Sequence, residues 1–259
     1  MRKIDTQLIL LVLGFVIVTL IYIFEPGGET ILKATANLTT VALPLTAVAL
    51  GTYLVKTLGT KSLQGKAILF ITMGFVSWTI AEILWIIYEQ AVVSFADIFY
   101  LLFYPLLVIG ILYGIKMSDP NIFKEKKRIL ILSLVTIAII ASYLYFFPLS
   151  WDPEISFIEN LVTGGYVIAD MLLIIPLVFL CYSLLSGTLS IGWIIFAGGI
   201  VTMLIADLWY ALNYEIYTSG KQYIDLVWYL SYFFFIYALI QFKRAQEQVK
   251  KGIIDKIKV

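Results

Sequence analysis

Residues 67–88 read AILFITMGFVSWTIAEILWIIY, twenty-two positions with one charge, Glu82, and no proline. A bilayer core about 30 Å thick takes roughly 20 apolar residues of helix to cross, so this stretch predicts a transmembrane helix with a carboxylate inside it. Seven further apolar stretches, at 7–24, 34–57, 94–116, 128–147, 158–184, 190–213 and 224–242, are divided by short polar or Gly/Pro breaks. The 259 residues are 61% hydrophobic and 14% charged, with a mean hydropathy of +0.97. Soluble domains average about 45–50% apolar and 25% charged, which excludes a water-soluble enzyme. The expected fold class is an all-α integral membrane protein with eight transmembrane helices. The first stretch follows Met1-Arg2-Lys3 but lacks a small-residue cleavage site, so it reads as a span and not as a signal peptide.

Basic residues orient the spans. With the N-terminus inside, sixteen of the eighteen Lys and Arg fall on the inner side and only Lys33 and Lys221 on the outer. By the positive-inside rule both termini are expected to be cytoplasmic, in a cell membrane. The outer loops carry Glu25, Glu29, Glu89, Asp152, Glu154 and Glu215, so the net charge of +1 conceals a chain that is basic inside and acidic outside.

The opening stretch also recurs. Gly74-Phe-Val-Ser-Trp-Thr-Ile-Ala-Glu-Ile-Leu-Trp85 returns 125 residues later as Gly199-Ile-Val-Thr-Met-Leu-Ile-Ala-Asp-Leu-Trp-Tyr210. Asp97-Ile-Phe-Tyr-Leu-Leu-Phe-Tyr104 returns 128 residues later as Asp225-Leu-Val-Trp-Tyr-Leu-Ser-Tyr232. Spans 3–4 thus match spans 7–8, and spans 2 and 6 each hold an interior proline, Pro44 and Pro176, expected to kink them. The expected organisation is two four-helix repeats of parallel topology, 1–127 and 128–242, followed by a basic tail at 243–259. Inverted repeats, common in transporters, are not what this pattern gives.

An ionisable residue inside a span is costly and points to function. Glu82, Asp170 and Asp207 lie within spans, Asp97 and Asp225 at the outer starts of spans 4 and 8, and Glu159 at the mouth of span 6. No Lys or Arg lies deep enough to pair with them. Helical spacing gives each acid aromatic neighbours: Trp78 and Trp85 with Glu82, Tyr100 and Tyr104 with Asp97, Tyr210 and Tyr214 with Asp207, Trp228 and Tyr232 with Asp225. Two readings compete. The acids are polar glue between helices, with Asp97 and Asp225 as N-caps, or they line an outward vestibule for a cation, a proton relay or an amine held by cation–π contacts. Capping does not account for the deep acids.

Absence of histidine removes a Ser- or Cys-based nucleophilic triad and histidine-ligated haem, and no Gly-rich phosphate loop is present. No catalytic residue is assigned, no cofactor is expected and the metal question stays open. The tail, with six basic and two acidic residues after Gln241, reads as a helix on the anionic inner leaflet or as a docking site for a membrane or cytoplasmic protein. The lipid bilayer is the other expected partner and nucleic acid is not one.

The run Ser94-Phe-Ala-Asp-Ile-Phe-Tyr-Leu-Leu-Phe-Tyr-Pro-Leu-Leu-Val-Ile-Gly110, with Ala206-Asp207-Leu208 and Asp225-Leu-Val-Trp228, resembles the multi-span N-terminal regions of bacterial and archaeal diguanylate cyclases and sensor histidine kinases. The resemblance covers 74–110 and 199–240, with Asp97, Tyr100, Tyr104, Pro105, Asp207, Asp225 and Trp228 as matching positions. It implies a membrane sensory or ligand-binding module, here without an output domain. The alternatives are an intramembrane carboxylate-dependent enzyme of lipid-hydrolase type and an accessory subunit of a larger membrane complex.

Overall fold

The computed structural model describes residues 5–88, 93–118, 126–149, 151–154, 156–183, 190–213 and 222–257. Of the residues used above, Arg2, Lys3, Glu89, Lys124, Tyr214, Glu215, Lys221, Lys258, and the side chains of Arg128 and of 250–257, lie outside that set. The described residues form eight long helices: α1 (Thr6–Phe24), α2 (Gly28–Leu58), α3 (Leu63–Ile87), α4 (Ala96–Ser118), α5 (Lys126–Phe146), α6 (Phe157–Ser183), α7 (Ser190–Leu212) and α8 (Asp225–Ile257). All eight are long and apolar enough to cross a membrane.

Local chemistry sets the ends. Asp5 caps α1 by accepting from the backbone N–H groups of Gln7 and Leu8 at 3.2 Å, and Ser62 caps α3 by accepting from Gly65 N at 2.9 Å. Between α1 and α2 the chain reverses in three residues because Glu25 (φ 43°) and Gly27 (φ 89°) adopt the left-handed conformation. Helix α2 therefore starts six residues before the expected position 34, adding a first stretch that carries Glu29 and Lys33. The helices run through Pro44, Pro105 and Pro176 without interruption. Helix α8 also continues unbroken into the basic tail for 33 residues, about 50 Å at 1.5 Å per residue.

Helix α3 is the most buried, whereas α1 and α5 are almost wholly exposed, as helices facing lipid would be. The antiparallel pairs α3–α4 and α7–α8 form the centre; α2 packs on α3 and α6 on α7; α2 also packs on α8 and α6 on α4; α1 leans on α8 and α2, and α5 on α6. Adding four to each helix number, counted around the eight, converts each of these packings into another of the set except α1–α8. At the centre, the Phe75 ring lies 5.7 Å from Phe103 and 5.3 Å from Phe235, which is 5.0 Å from Phe196, so one aromatic cluster ties α3, α4, α7 and α8 together. Glycine allows close approach where helices cross: a Cβ on Gly51 would lie 2.1 Å from Thr72 Oγ1, and one on Gly199 would lie 2.5 Å from the Phe235 ring.

Polar bonds hold α1 at both ends. At its first turn Arg244 of α8 donates two guanidinium N–H groups to Asp5, one of them at 2.5 Å, while Tyr237 OH donates to Asp5 at 2.7 Å. At its last turn Tyr22 OH donates to Asp225 at 3.0 Å and lies 3.0 Å from Tyr229 OH. The first bases of the tail are thus engaged within the chain, since Lys243 also sits 5.1 Å above the Tyr53 ring.

Candidate functional site

A cavity of about 380 Å³ lies at the end of the bundle opposite both chain termini, where α2, α4, α6 and α8 begin and α3 and α7 end. Five carboxylates line it, Glu29, Glu82, Asp97, Asp207 and Asp225, against one base, Lys33, on the exposed rim. Aromatic groups form much of the remaining wall: Trp78, Trp85, Tyr100, Tyr166, Tyr210, Trp228 and Tyr229.

Glu82 accepts hydrogen bonds on both carboxylate oxygens. One turn back on α3, Trp78 Nε1 donates to its Oε1 at 2.7 Å; Tyr232 OH of α8 donates to the same oxygen at 3.0 Å; and Thr40 Oγ1 of α2 donates to Oε2 at 2.9 Å. Tyr100 of α4 stands beside it. Buried to 7% exposure yet still on the cavity wall, Glu82 joins three helices and faces the cavity.

Asp207 occupies the corresponding place on α7. Trp228 Nε1 of α8 donates to its Oδ1 at 2.6 Å, and Tyr104 of α4 faces it. Behind Asp207 and away from the cavity lies Asp170 of α6, with 0% exposure. Neither Asp170 oxygen has a hydrogen-bond donor, and Tyr104 OH makes no hydrogen bond either, although the two groups and Asp207 face one another. One tyrosine beside each acid comes from a helix distant in the chain: Tyr232 of α8 donates to Glu82 of α3, and Tyr104 of α4 faces Asp207 of α7.

The near-interface acids do more than cap. Ser94 is the N-terminal cap of α4, its Oγ accepting from Ala96 N at 3.2 Å, while Asp97 three residues on accepts from Ser94 N at 2.7 Å, a capping box. The other Asp97 oxygen accepts from Tyr166 OH of α6. Glu159 forms the same box with Ser156 and does not line the cavity. Asp225, at the first position of α8, accepts from Tyr22 OH and lines the cavity.

Of the ten residues singled out from the sequence, Glu82, Asp97, Tyr100, Asp207, Tyr210, Asp225 and Trp228 meet at the cavity. Tyr104, Asp170 and Tyr232 lie beneath it in the core. Sequence reasoning missed Thr40, Tyr166, Tyr229 and Tyr22. Helical spacing could have found two of them, since Tyr166 precedes Asp170 by one turn and Tyr229 follows Asp225 by one. Among the described residues no three acids or cysteines gather closely enough to hold a metal ion.

The acid outside the spans behaves differently. The Arg244 guanidinium holds the Asp5 carboxyl well below the usual carboxylate range, with partial desolvation opposing it and Tyr237 assisting.

Comparison of the chain with protein-family models, with curated proteins and with solved structures returned no match.

Proposed function

We propose that this chain is a multi-pass membrane sensory or ligand-binding module whose acidic, aromatic cavity opens to the outer side and takes a small organic cation. One observation carries the reading: four intramembrane or near-interface carboxylates and seven aromatic rings converge on a single cavity with no base deeper than Lys33. Cavities of roughly 300–1,000 Å³ suit small ligands, and π faces backed by carboxylates are the usual means of recognising an ammonium group. A bare divalent ion is less well served, because it favours several carboxylate oxygens at one point and no three carboxylates gather so among the described residues. The outward opening rests on the distribution of bases, which puts the cavity end opposite the basic side. Two four-helix repeats are the organisation we infer; the packings that interconvert on adding four, and the paired placing of Glu82 and Asp207, support it.

Trp78, Trp85 and Trp228 make the site its own reporter. Titration of the purified chain with choline is expected to give a saturable change in tryptophan fluorescence. Its uncharged isostere 3,3-dimethyl-1-butanol should bind at least about tenfold more weakly, the equivalent of 1.4 kcal/mol. Equal response to the two compounds would refute a cation site.

A further inference from the structure

The cavity floor poses an electrostatic problem that the cavity itself does not resolve. Asp170 is completely buried, and neither of its oxygens has a hydrogen-bond donor. The groups facing it are Asp207 from α7 and Tyr104 from α4; Asp207 is faced in addition by Trp228 from α8, with Tyr232 of α8 and Tyr166 of α6 nearby. From α5, Tyr143 packs in the cluster formed by Val167 and Met171 on the flank of α6. None of these groups is a cation, and Lys33 stands on the exposed rim.

Two carboxylates side by side, one of them fully out of solvent and with no cation nearby, resist being ionised together. Tyr104 OH can offer a single hydrogen to the two acids, but the contact between the carboxylates themselves needs another, and a hydrogen on one of the acids supplies it. Asp207 also lines the cavity, so the pair has one member out of solvent and one in contact with any occupant.

We propose that Asp170 and Asp207 share one proton at neutral pH, and that a cation seated against Asp207 displaces it into the cavity. The proposal rests on the cation reading of the cavity. In the displacement an O–H bond of the pair breaks, its electrons stay on the carboxylate and the proton passes to cavity water. The pair with its proton carries −1; the ionised pair with a monovalent cation also carries −1, so the buried charge is unchanged. Linkage makes the effect reciprocal: acidification weakens the cation by the same factor by which the cation weakens the proton.

Asp170→Asn tests this, because the side-chain amide can donate to Asp207 where the proton did and leave Asp207 ionised. Choline is the probe, since its quaternary charge does not titrate. Calorimetric titration of the full chain in buffers of different ionisation enthalpy counts protons released per choline bound. Infrared spectroscopy at neutral pH reads the C=O stretch of a protonated carboxyl directly, in wild type and variant. The expected result is proton release on choline binding to wild type, absent in D170N, together with a carboxylic-acid band that D170N lacks and that choline removes from wild type. Choline affinity of wild type should fall on acidification more steeply than that of D170N, which keeps the other cavity acids but lacks the exchangeable proton. The proposal is overturned by D170N releasing as many protons as wild type, or by a wild-type spectrum with no carboxylic-acid band. Failure of wild type to bind choline at all would refute the cation site and the exchange, and the infrared band alone would then report on the shared proton.

Discussion

Glu82→Gln separates a charge that recognises a ligand from an oxygen that joins helices. In wild type the carboxylate accepts from Trp78, Tyr232 and Thr40. Glutamine keeps one carbonyl oxygen, enough for Trp78 and Tyr232, which both address Oε1, and its amide can donate to Thr40 once that hydroxyl turns from donor to acceptor. Interhelical hydrogen bonds in membranes average about 0.6 kcal/mol, so rearranging one should cost under about 1 kcal/mol. Glu82→Ala strands three buried donors and should cost about 2 kcal/mol on the same scale. Removing the charge acts differently on a bound cation: at about 5 Å and an effective dielectric constant near 20, the lost attraction is about 3 kcal/mol, roughly 100-fold in affinity. The assay pairs thermal unfolding with choline titration followed by tryptophan fluorescence. E82Q is expected to melt close to wild type while binding choline about 100-fold more weakly. A folded E82Q that binds choline within about threefold of wild type, a difference of only ~0.7 kcal/mol, would refute the reasoning and leave Glu82 as a helix tie.

The remaining predictions concern the frame. Because the folded Asp5 carboxyl is held low by Arg244, its stabilisation is complete above the ordinary carboxylate range near pH ~4 and fades as pH falls below it; the thermal midpoint of wild type should drop more steeply on acidification than that of Asp5→Asn. Tyr22→Phe removes the bond to Asp225 at the outer end of α1 and should lower stability by about 1 kcal/mol, seen as an earlier melting transition. Gly199→Ala sets a methyl 2.5 Å from Phe235, whose ring is itself hemmed in by Phe75 and Phe196, and should cost about 1–3 kcal/mol. Gly198→Ala, with its nearest neighbour 3.8 Å away, should melt near wild type; equal losses in the two variants would contradict the packing described.

The eight long apolar helices were legible because apolar length is a local property, and the acids stood out because each interrupts such a run. Depth was not legible. Tyr166 and Asp170 share one face of α6, yet one turn, about 5.4 Å along the axis, puts the tyrosine on the cavity wall and the aspartate under the floor. Trp228 and Tyr232 divide in the same way on α8. Tyr22 could not be found from spacing, since it meets Asp225 across 203 residues of chain. The Gly/Pro break after the first apolar stretch was readable, but the left-handed Glu25 that lets α2 begin at once was not, so the stretch of cavity wall carrying Glu29 and Lys33 stayed hidden. The charges of the tail suggested a helix at a membrane surface or a docking site, but not that α8 runs into it unbroken, with Arg244 turned back to Asp5.

The two tyrosines make the surroundings of the acids a late achievement of folding. Tyr232 of α8 bonds Glu82 of α3, and Tyr104 of α4 stands toward Asp207 of α7. Glu82 therefore lacks one of its donors until the last helix of the chain has packed against the third, and Asp207 lacks a neighbour until α7 has met α4.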